Sequence, residues 1–486
     1  MAGRVIPMPT RGGGPPLGAL RRSSDIWLAL AMGGIVALLI MRLPMQAALA
    51  SSLVGAFVLL ALVDTRVAVL ALVLVRATLD VTATVPLLSA AGSSNVNANA
   101  LMSLLVVALG LSHIALNRID IWRIPLVKPF AAFVAITFVS IALAPDQNRA
   151  LQDWLRILGA MMVYVLVVDM MRGLADRRWL LRVILLSSVV PLVLGVYQYV
   201  TDTGDHGTEG FNRILGTFVH PSPYAFYLVQ LLPLALVIFL HTTSRLARVA
   251  MFVMIPAIVF SIYATQTRGA WVGVIVMSIV FLWVRARWTM IFVPLVLGAM
   301  FFAMPGVRAR VLEINTGTCE SAANCQSSVL WREKQWEDAL RVASLPQLAT
   351  VGAGLGAVDV TLGNFTHNEY VRLLVETGAL GLLAMFLLYK GLFDITTRGY
   401  REAATPYERD LMLAFMMALT ARIVMAGADN ILVLVVLEWY FWAFAGAIVV
   451  ESGVYDRFAR RKTREERQLA HAPRRRIAAG TTVASR

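Results

Sequence analysis

The chain alternates long apolar blocks with short polar segments along most of its length. A helix needs about 20 mostly apolar residues to cross a bilayer core roughly 30 Å thick, so each block predicts one transmembrane helix. Short or interrupted blocks can merge. The pattern therefore predicts an all-α polytopic transmembrane bundle of roughly 12–14 spans with a small, mostly helical external insert. The expected spans are 26–41, 46–63, 67–88, 98–117, 125–144, 154–171, 179–200, 221–240, 247–264, 269–284, 288–304, 368–395, 408–427 and 431–450.

The polar segments divide the chain into five parts. Residues 1–25 are rich in Pro, Gly and Arg, and residues 453–486 form a charged, basic run, so both are expected to be disordered cytoplasmic tails. Transmembrane helices are expected over 26–304 and over 367–452. Residues 305–366 form the sizeable polar segment between these two regions and are expected to be an external, periplasmic insert.

The composition excludes a soluble globular protein. Of the 486 residues, 58% are hydrophobic and 15% are charged, whereas soluble domains hold about 45–50% apolar and about 25% charged residues. The formal net charge of +14 could indicate a nucleic-acid partner, but the basic residues lie in short loops and tails between apolar blocks. No nucleic acid is therefore expected. Membrane lipids are expected partners, because anionic headgroups attract basic tails.

The distribution of arginines predicts the orientation in the membrane. With a cytoplasmic N-terminus, every second loop is basic, as the positive-inside rule requires, and the alternate loops hold isolated arginines apart from the insert. The sequence therefore predicts a multi-pass protein of the inner, cytoplasmic membrane. The basic residues expected inside are Arg21, Arg22, Arg66, Arg118, Arg123, Arg172, Arg177, Arg178, Arg245, Arg248, Arg285, Arg287, Arg398, Arg401 and Arg409.

The insert holds both cysteines of the chain, Cys319 and Cys325, in a polar loop of small residues. Two close cysteines in an oxidising compartment predict a disulfide, with two free thiols as the alternative. The glycine-rich turn over 352–356 is interpreted as flexible backbone before the next span. Between these two features the spacing predicts an amphipathic helix, whose apolar positions are Trp336, Ala339, Leu340 and Ala343.

Several catalytic motifs are missing from the sequence. It contains no Walker loop, no HExxH, no GxSxG and no Asp-x-Asp pair of the kind that holds a metal for nucleotide-sugar transferases. The six histidines are scattered without metal-ligand spacing. Neither a metal ion nor another cofactor is expected.

A group of ionisable residues falls near the outer ends of the expected spans, except for Arg76, which lies near mid-bilayer one turn from Asp80. Charged side chains inside a membrane usually pair with one another or line a polar cavity, because burying them costs at least about 2.5–3.5 kcal/mol. Taken singly, Arg76 with Asp80, and Arg422 with Glu438 or Asp429, could be structural ion pairs. Taken together, the group predicts a cationic cavity suited to a diphosphate, since guanidinium groups bind phosphate oxygens in a bidentate way. Its members are Arg76, Asp80, Arg156, Arg213, Arg268, His367, Arg422 and Glu438.

Three motifs resemble those of the O-antigen ligase superfamily. The stretch Thr366-His367-Asn368-Glu369-Tyr370 resembles the family's His-Asn signature, in which a histidine stands eleven residues before a glycine, here Gly378. Arg213-Ile214-Leu215-Gly216-Thr217-Phe218, followed by His220-Pro221, resembles the family's arginine-bearing outer loop. Thr267-Arg268-Gly269-Ala270-Trp271 resembles its second arginine motif, and Trp331, Trp336 and the glycine turn fit its external domain. The resemblance covers about 190–395.

The resemblance implies a membrane glycosyltransferase whose donor is a glycan linked to undecaprenyl diphosphate. Ligases of the family transfer O-antigen to the lipid A core in lipopolysaccharide biosynthesis, polymerases transfer a growing polysaccharide to another lipid-linked repeat, and a few members glycosylate proteins. The acceptor is therefore a glycan, the lipid A core or a similar hydroxyl. A count near fourteen spans exceeds the twelve usual for ligases, so ligase and polymerase both stay open.

The resemblance also implies an inverting, metal-independent displacement at the anomeric carbon. Arg213 and Arg268 would stabilise the diphosphate leaving group, and His367 would accept the proton of the acceptor hydroxyl, since a histidine normally titrates near pH 6.5. Substrate contacts are expected from Arg76, Asp80, Arg156, His220, Asn368, Glu369, Arg372 and Arg422. Glu369, Arg372 and Glu376 also have the spacing of an ordinary helix ion-pair ladder.

One alternative belongs to another class. A bundle of this size also suits a transporter of lipid-linked glycans or small molecules. Transporters usually place ionisable residues at mid-membrane between inverted repeats. The sequence shows no such repeat, and its polar residues lie toward one face.

Overall fold

The computed structural model describes residues 55–82, 86–89, 95–206, 212–303, 308, 312, 319–321, 324–325 and 328–453. The expected span 26–41 and the two tails, apart from residue 453, lie outside these residues. Residues 55–63 are helical. The described residues from Thr65 onward belong to one compact unit, made mostly of helices. They are α1 Thr65–Arg76, α2 Ala98–Asn117, α3 Val127–Ile141, α4 Gln147–Met170, α5 Leu174–Leu186, α6 Val189–Thr201, α7 Pro221–His241, α8 Arg245–Ala264, α9 Arg268–Arg285, α10 Val293–Ala303, α11 Ser328–Val342, α12 Leu345–Ala349, α13 Ala357–Leu362, α14 Glu369–Glu402, α15 Pro406–Ala426 and α16 Val435–Glu451.

Short elements join some of these helices. Two small antiparallel hairpins are present, β1 Pro86–Ser89 with β2 Asn95–Asn97, and β3 Cys319–Ser321 with β4 Asn324–Cys325. Short 3₁₀-helices cover Thr78–Thr82, Ile121–Arg123, Arg287–Phe292 and Ile431–Val433. Helices therefore dominate the described chain.

Six stretches of the described helices are long and apolar enough to cross a membrane. The expected all-α polytopic bundle is confirmed, and the protein is a multi-pass membrane protein. The shorter apolar helices α2 and α3 also coincide with expected spans. The six stretches are Gln147–Met170, Leu174–Thr201 (α5 and α6 together), Pro221–His241, Arg245–Ala264, Arg268–Arg285 and Glu369–Glu402.

The expected span 67–88 differs from the structure, because α1 ends at Arg76. The backbone groups of Ala77 are bound to other parts of the chain. Its N–H donates to the hydroxyl of Tyr440 (3.2 Å), and its carbonyl accepts from the hydroxyl of Thr217 (2.6 Å). These bonds replace those that would extend the helix, and a 3₁₀ turn and the β1–β2 hairpin follow.

Helix α16 is deeply buried among the described helices. Fifteen of its residues are buried, Val435 through Val449, because it is apolar on every side and packs against several neighbours. It contacts α4 most extensively, and the ring of its Trp442 lies 4.4 Å from that of Phe130 in α3. Burial on all sides is expected for a helix whose apolar residues are not confined to one face.

Helices α7, α9 and α15 run between two polar clusters. One cluster contains His241 at the end of α7, Arg285 at the end of α9 and Asp410 near the start of α15. The His241 Nε2 atom lies 2.8 Å from a carboxylate oxygen of Asp410, and Arg285 pairs with the same carboxylate. The other ends of these three helices meet at the candidate site described below.

Helix α14 is interrupted at Gly378, whose backbone (φ 66°, ψ −173°) is left-handed and not helical. A side chain there would meet the carbonyl oxygen of Thr350 at 2.0 Å, so the close approach requires glycine. The carbonyl freed at Glu376 accepts from the Ser140 hydroxyl (2.5 Å) and from the N–H of Gly354 (3.2 Å). The break thus separates a short first segment, which follows His367, from the long apolar remainder.

The insert packs firmly on this first segment. Ala339 of α11 and Ala343 just after it are buried against Val358 of α13 and Val375 of α14. The expected amphipathic helix is present, although Leu340 on it is 39% exposed. The glycine turn is closely packed, in contrast to the flexibility expected from its sequence, because its backbone N–H groups bind carbonyls of α14.

The β3–β4 hairpin places Cys319 directly opposite Cys325 in its register. Residues paired in this way have the separation that a disulfide requires. We therefore expect protein purified without reductant to resist thiol labelling at both positions until it is reduced and unfolded, as measured by mass spectrometry. The Cys319→Ser variant is the control, because its remaining Cys325 should be labelled at once. Prompt labelling of both thiols in the native wild type would contradict the disulfide.

Candidate functional site

A polar cavity of about 160 Å³ lies where the first turns of α7, α9 and α11 meet His367, two residues before α14, and the loop after α15. Four residues expected in a functional site line it: Arg213, His220, Arg268 and His367. Gln266, Trp331, Arg332 and Asp429 line it as well. The cavity therefore contains three arginines, two histidines and one carboxylate.

The loop before α7 holds Arg213 in place. The Gln198 side-chain oxygen accepts from the N–H groups of Leu215 (3.0 Å) and Gly216 (2.8 Å), which fixes the loop to the end of α6. The Arg213 Nε atom donates to the carbonyl of Thr265 (3.0 Å), in the turn just before α9. The two arginine-bearing loops are therefore joined directly to each other.

Arg268 is the first residue of α9, and the turn before it is tight. Gln266 in this turn has a left-handed backbone (φ 53°). Gly269, the residue after Arg268, approaches the loop after α15 closely. A Cβ atom added to it would lie 2.9 Å from the Cβ of Ala428. This approach brings Arg268 to the loop that carries Asp429.

His367 and Asp429 form a hydrogen-bonded pair in the cavity. The Nδ1 atom of His367 lies 3.0 Å from a carboxylate oxygen of Asp429. An ionised carboxylate can only accept, so Nδ1 carries the proton and, in the neutral imidazole, Nε2 keeps a free lone pair. This arrangement makes His367 suited to accept a proton at Nε2.

One amide side chain holds the backbone on both sides of His367. The Asn430 Oδ1 atom accepts from the Thr366 hydroxyl (3.0 Å) and from the N–H of Asn368 (2.9 Å). His367 itself has a left-handed backbone (φ 49°), which is uncommon for a residue other than glycine and is stored mainly where surrounding contacts impose it. The indole of Trp336 adds a hydrogen bond to the Thr366 carbonyl (2.9 Å). The imidazole is thus directed at Asp429 by a rigid frame.

Burial and neighbouring charges set the ionisation of the cavity. Burial by itself raises the pKa of Asp429, but the hydrogen bond and charge of His367, with smaller contributions that include the Arg332 guanidinium, lower it below its ordinary value. Burial and then the charge of Arg213 lower the pKa of His220. Because Nδ1 of His220 accepts from the N–H of Ser222 (3.2 Å), a neutral His220 carries its proton on Nε2 and can donate it.

Some of the residues expected to contact substrate form internal pairs away from the cavity. Arg76 and Asp80 are buried and 3.2 Å apart, with the guanidinium over the ring of Trp439. Arg422 is fully buried, pairs with Glu438 and donates to the hydroxyl of Tyr389 (3.0 Å). These two arginines are therefore paired with carboxylates within the bundle. This agrees with the alternative that each is part of a structural ion pair.

The other expected contacts also have structural partners. The Asn368 side chain caps α14 by accepting from the N–H groups of Tyr370 (3.0 Å) and Val371 (3.2 Å). Arg372 is buried between Glu369 (2.6 Å) and Glu376 (3.3 Å), which is the ion-pair ladder. Arg156 pairs with Asp153 one turn away (2.5 Å). None of the four expected residues, Asn368, Glu369, Arg372 and Arg156, is among the cavity-lining residues of the described chain.

Two charged cavity residues were not expected from the sequence. From the sequence, Asp429 was expected only as a partner of Arg422. It lies in a short polar loop between two apolar helices, and the loop pattern puts this loop on the same side of the membrane as His367. That position is a signal from which its place in the site could have been predicted. Arg332 lies on a helix with several other charged residues, so no local feature distinguishes it. Only the packing of α11 brings it to the cavity.

Comparison with known families gives a match over part of the chain. Residues 255–386 match the family model described as O-Antigen ligase, and no curated protein matches the sequence. The resemblance inferred from the motifs is thereby confirmed over a region that contains Arg268, His367 and Gly378. Arg213 and Asp429 lie outside the matched region. The family is one of membrane glycosyltransferases of the ligase and polymerase type.

Proposed function

We propose that this multi-pass membrane protein, whose residues 255–386 match the O-antigen ligase family, transfers a glycan from undecaprenyl diphosphate to an acceptor hydroxyl. The observation that carries the proposal is the His367–Asp429 pair (3.0 Å) in the same cavity as Arg213 and Arg268. A base and a set of fixed cations within one cavity are the two requirements of such a displacement.

The base in this proposal is Nε2 of His367. As the acceptor oxygen bonds to the anomeric carbon, its proton passes to Nε2. The bond from that carbon to the diphosphate breaks, and its electron pair stays on the phosphate oxygen. Attack from the face opposite the diphosphate inverts the configuration at the anomeric carbon. Asp429 stabilises the imidazolium that forms, because its lowered pKa keeps it ionised.

The cations in this proposal stabilise the leaving diphosphate. Arg213 and Arg268 offer planar guanidinium groups that match phosphate oxygens, and the neutral His220 offers one N–H. The first turns of α7 and α9 also lie at the cavity, and the partial positive charge at a helix N-terminus favours an anion there. These groups together supply the charge stabilisation that a metal ion provides in other transferases.

The expected partners follow from this chemistry. The donor is a lipid-linked glycan held in the membrane, and the acceptor is a glycan, with the lipid A core as the acceptor expected for a ligase. We propose the inner membrane as the location, with the cavity on the periplasmic face. The arginine-rich loops on the opposite side support that orientation.

The proposal is tested with purified protein, undecaprenyl-diphosphate-linked glycan and two acceptors, lipid A core and a second lipid-linked repeat. Product on the lipid A core indicates a ligase, and a ladder of longer lipid-linked glycans indicates a polymerase. Movement of labelled donor across liposomes without any new glycosidic bond would instead favour the transporter alternative and overturn the proposal.

A further inference from the structure

Arg332 forms part of the cavity wall that the insert contributes. Together with its neighbour Trp331, it comes from the first turns of α11, whereas Arg213 comes from the loop before α7 and Arg268 is the first residue of α9. The ring of Trp331 lies 5.4 Å from that of His367. Arg332 therefore lines the same cavity as the proposed base, on a different structural element from the other two arginines.

Helix α11 is held in place along its length. Its Ala339 is fully buried, packed in one cluster with Val375 of the segment that follows His367. The Trp336 indole donates to the carbonyl of Thr366 (2.9 Å), the residue just before His367. The helix that carries Arg332 and the backbone that carries His367 are thus fixed to each other.

The charge of Arg332 is only weakly compensated within the part of the chain that the structure describes. Burial lowers its pKa, and the carboxylate of Asp429, which opposes this effect, is already hydrogen-bonded to His367. Among the described residues its guanidinium forms no hydrogen bond and no ion pair. The buried Arg372 and Arg422 are each paired with carboxylates. A partly desolvated guanidinium that faces a cavity is expected to bind an anion there.

We propose that Arg332 is a third phosphate-binding arginine of this cavity and that it stabilises the charge that develops as the diphosphate leaves. This inference rests on the proposed function. A diphosphate that links a lipid to a sugar carries two negative charges. When the bond to the anomeric carbon breaks, the terminal phosphate oxygen gains a third charge. Three guanidinium groups match the released diphosphate better than the bound donor, so Arg332 acts mainly on the transition state.

The test measures ligand binding and transfer separately in the full-length protein. Arg332→Gln is compared with Arg341→Gln, a matched control on the same helix whose side chain is 68% exposed and paired with Glu337 and Asp338. The binding probes are undecaprenyl diphosphate and undecaprenyl monophosphate, and the activity probe is glycan transfer. We expect Arg332→Gln to weaken diphosphate binding at least about 10-fold, to affect monophosphate binding less, and to lower kcat about 10²-fold. Arg341→Gln should behave as wild type.

The outcomes separate this inference from the proposed function. If Arg332→Gln binds undecaprenyl diphosphate as tightly as wild type while wild type transfers glycan, the role of Arg332 is overturned and the proposed function stands. If wild type transfers no glycan but its diphosphate binding depends on Arg332, the proposed function fails and the phosphate site stands. Should Arg332→Gln not fold, Arg332→Lys keeps the charge without the planar fork, and diphosphate binding equal to wild type in that variant overturns the proposal.

Discussion

Replacing His367 with alanine is expected to lower the rate of glycan transfer by about 10²–10⁴-fold, the usual contribution of a general base. Membrane insertion and donor binding should stay close to wild type, because the diphosphate is held by arginines and not by the imidazole. Since the left-handed backbone at 367 is strained for alanine, His367→Asn is the companion variant, as asparagine tolerates this conformation better. Both variants should lose transfer, and His367→Asn should keep its thermal stability.

The control is His206→Ala. This histidine is not among the cavity-lining residues of the described chain, and it lies within 3.9 Å of Asp202 in the loop before Arg213. Its removal should leave transfer unchanged. Near wild-type rates in both His367 variants would show that another group, or none, activates the acceptor hydroxyl.

The dependence of transfer on pH gives an independent view of the same pair. Wild-type turnover should fall on the acid side, because a protonated imidazole cannot accept a proton. Asp429 is not expected to cause this decline, since its lowered pKa keeps it ionised well into the acid range. In Asp429→Asn the imidazolium that forms during transfer loses its negative neighbour, so the maximal rate of transfer should fall.

Changing Arg268 or Arg213 to lysine is expected to lower transfer about 10²-fold in each case. Lysine keeps the positive charge but loses the planar fork that binds two phosphate oxygens. At position 213 it also loses the Nε–H bond to the Thr265 carbonyl (3.0 Å), which joins the two arginine loops. The assay is the same transfer reaction, with the amount of inserted protein measured for each variant.

Arg245→Lys is the matched control for these two variants. Arg245 is exposed at the start of α8, whose other end leads into the Arg268 turn, so it lies far from the cavity along the same helix. Its replacement should leave transfer unchanged. If Arg213→Lys and Arg268→Lys retained wild-type activity, these arginines would not bind the leaving diphosphate.

The sequence by itself predicted the helical bundle, and most of its helices, correctly. Hydropathy is a local property, so a block such as 221–240 identifies α7 (Pro221–His241) without any knowledge of its neighbours. The two arginine loops and His367 were also recognisable, because each motif is contiguous in the chain. The sequence was less informative about where helices break. The block 67–88 continues to look apolar, yet α1 ends at Arg76, where Tyr440 and Thr217 bind the backbone of Ala77.

Only the tertiary structure decided which charged residues share the cavity. Asp429 lies 62 positions from His367 along the chain. Arg332 lies on a polar helix that also carries Arg341, and the sequence does not show which of the two arginines faces the cavity. Arg76 and Arg422 were equally plausible cavity residues by sequence, but their helix faces meet Asp80 and Glu438 inside the bundle. A charged group in a membrane protein must find either a partner or a polar cavity. Which of the two it finds depends on helix faces that come together only when the bundle packs.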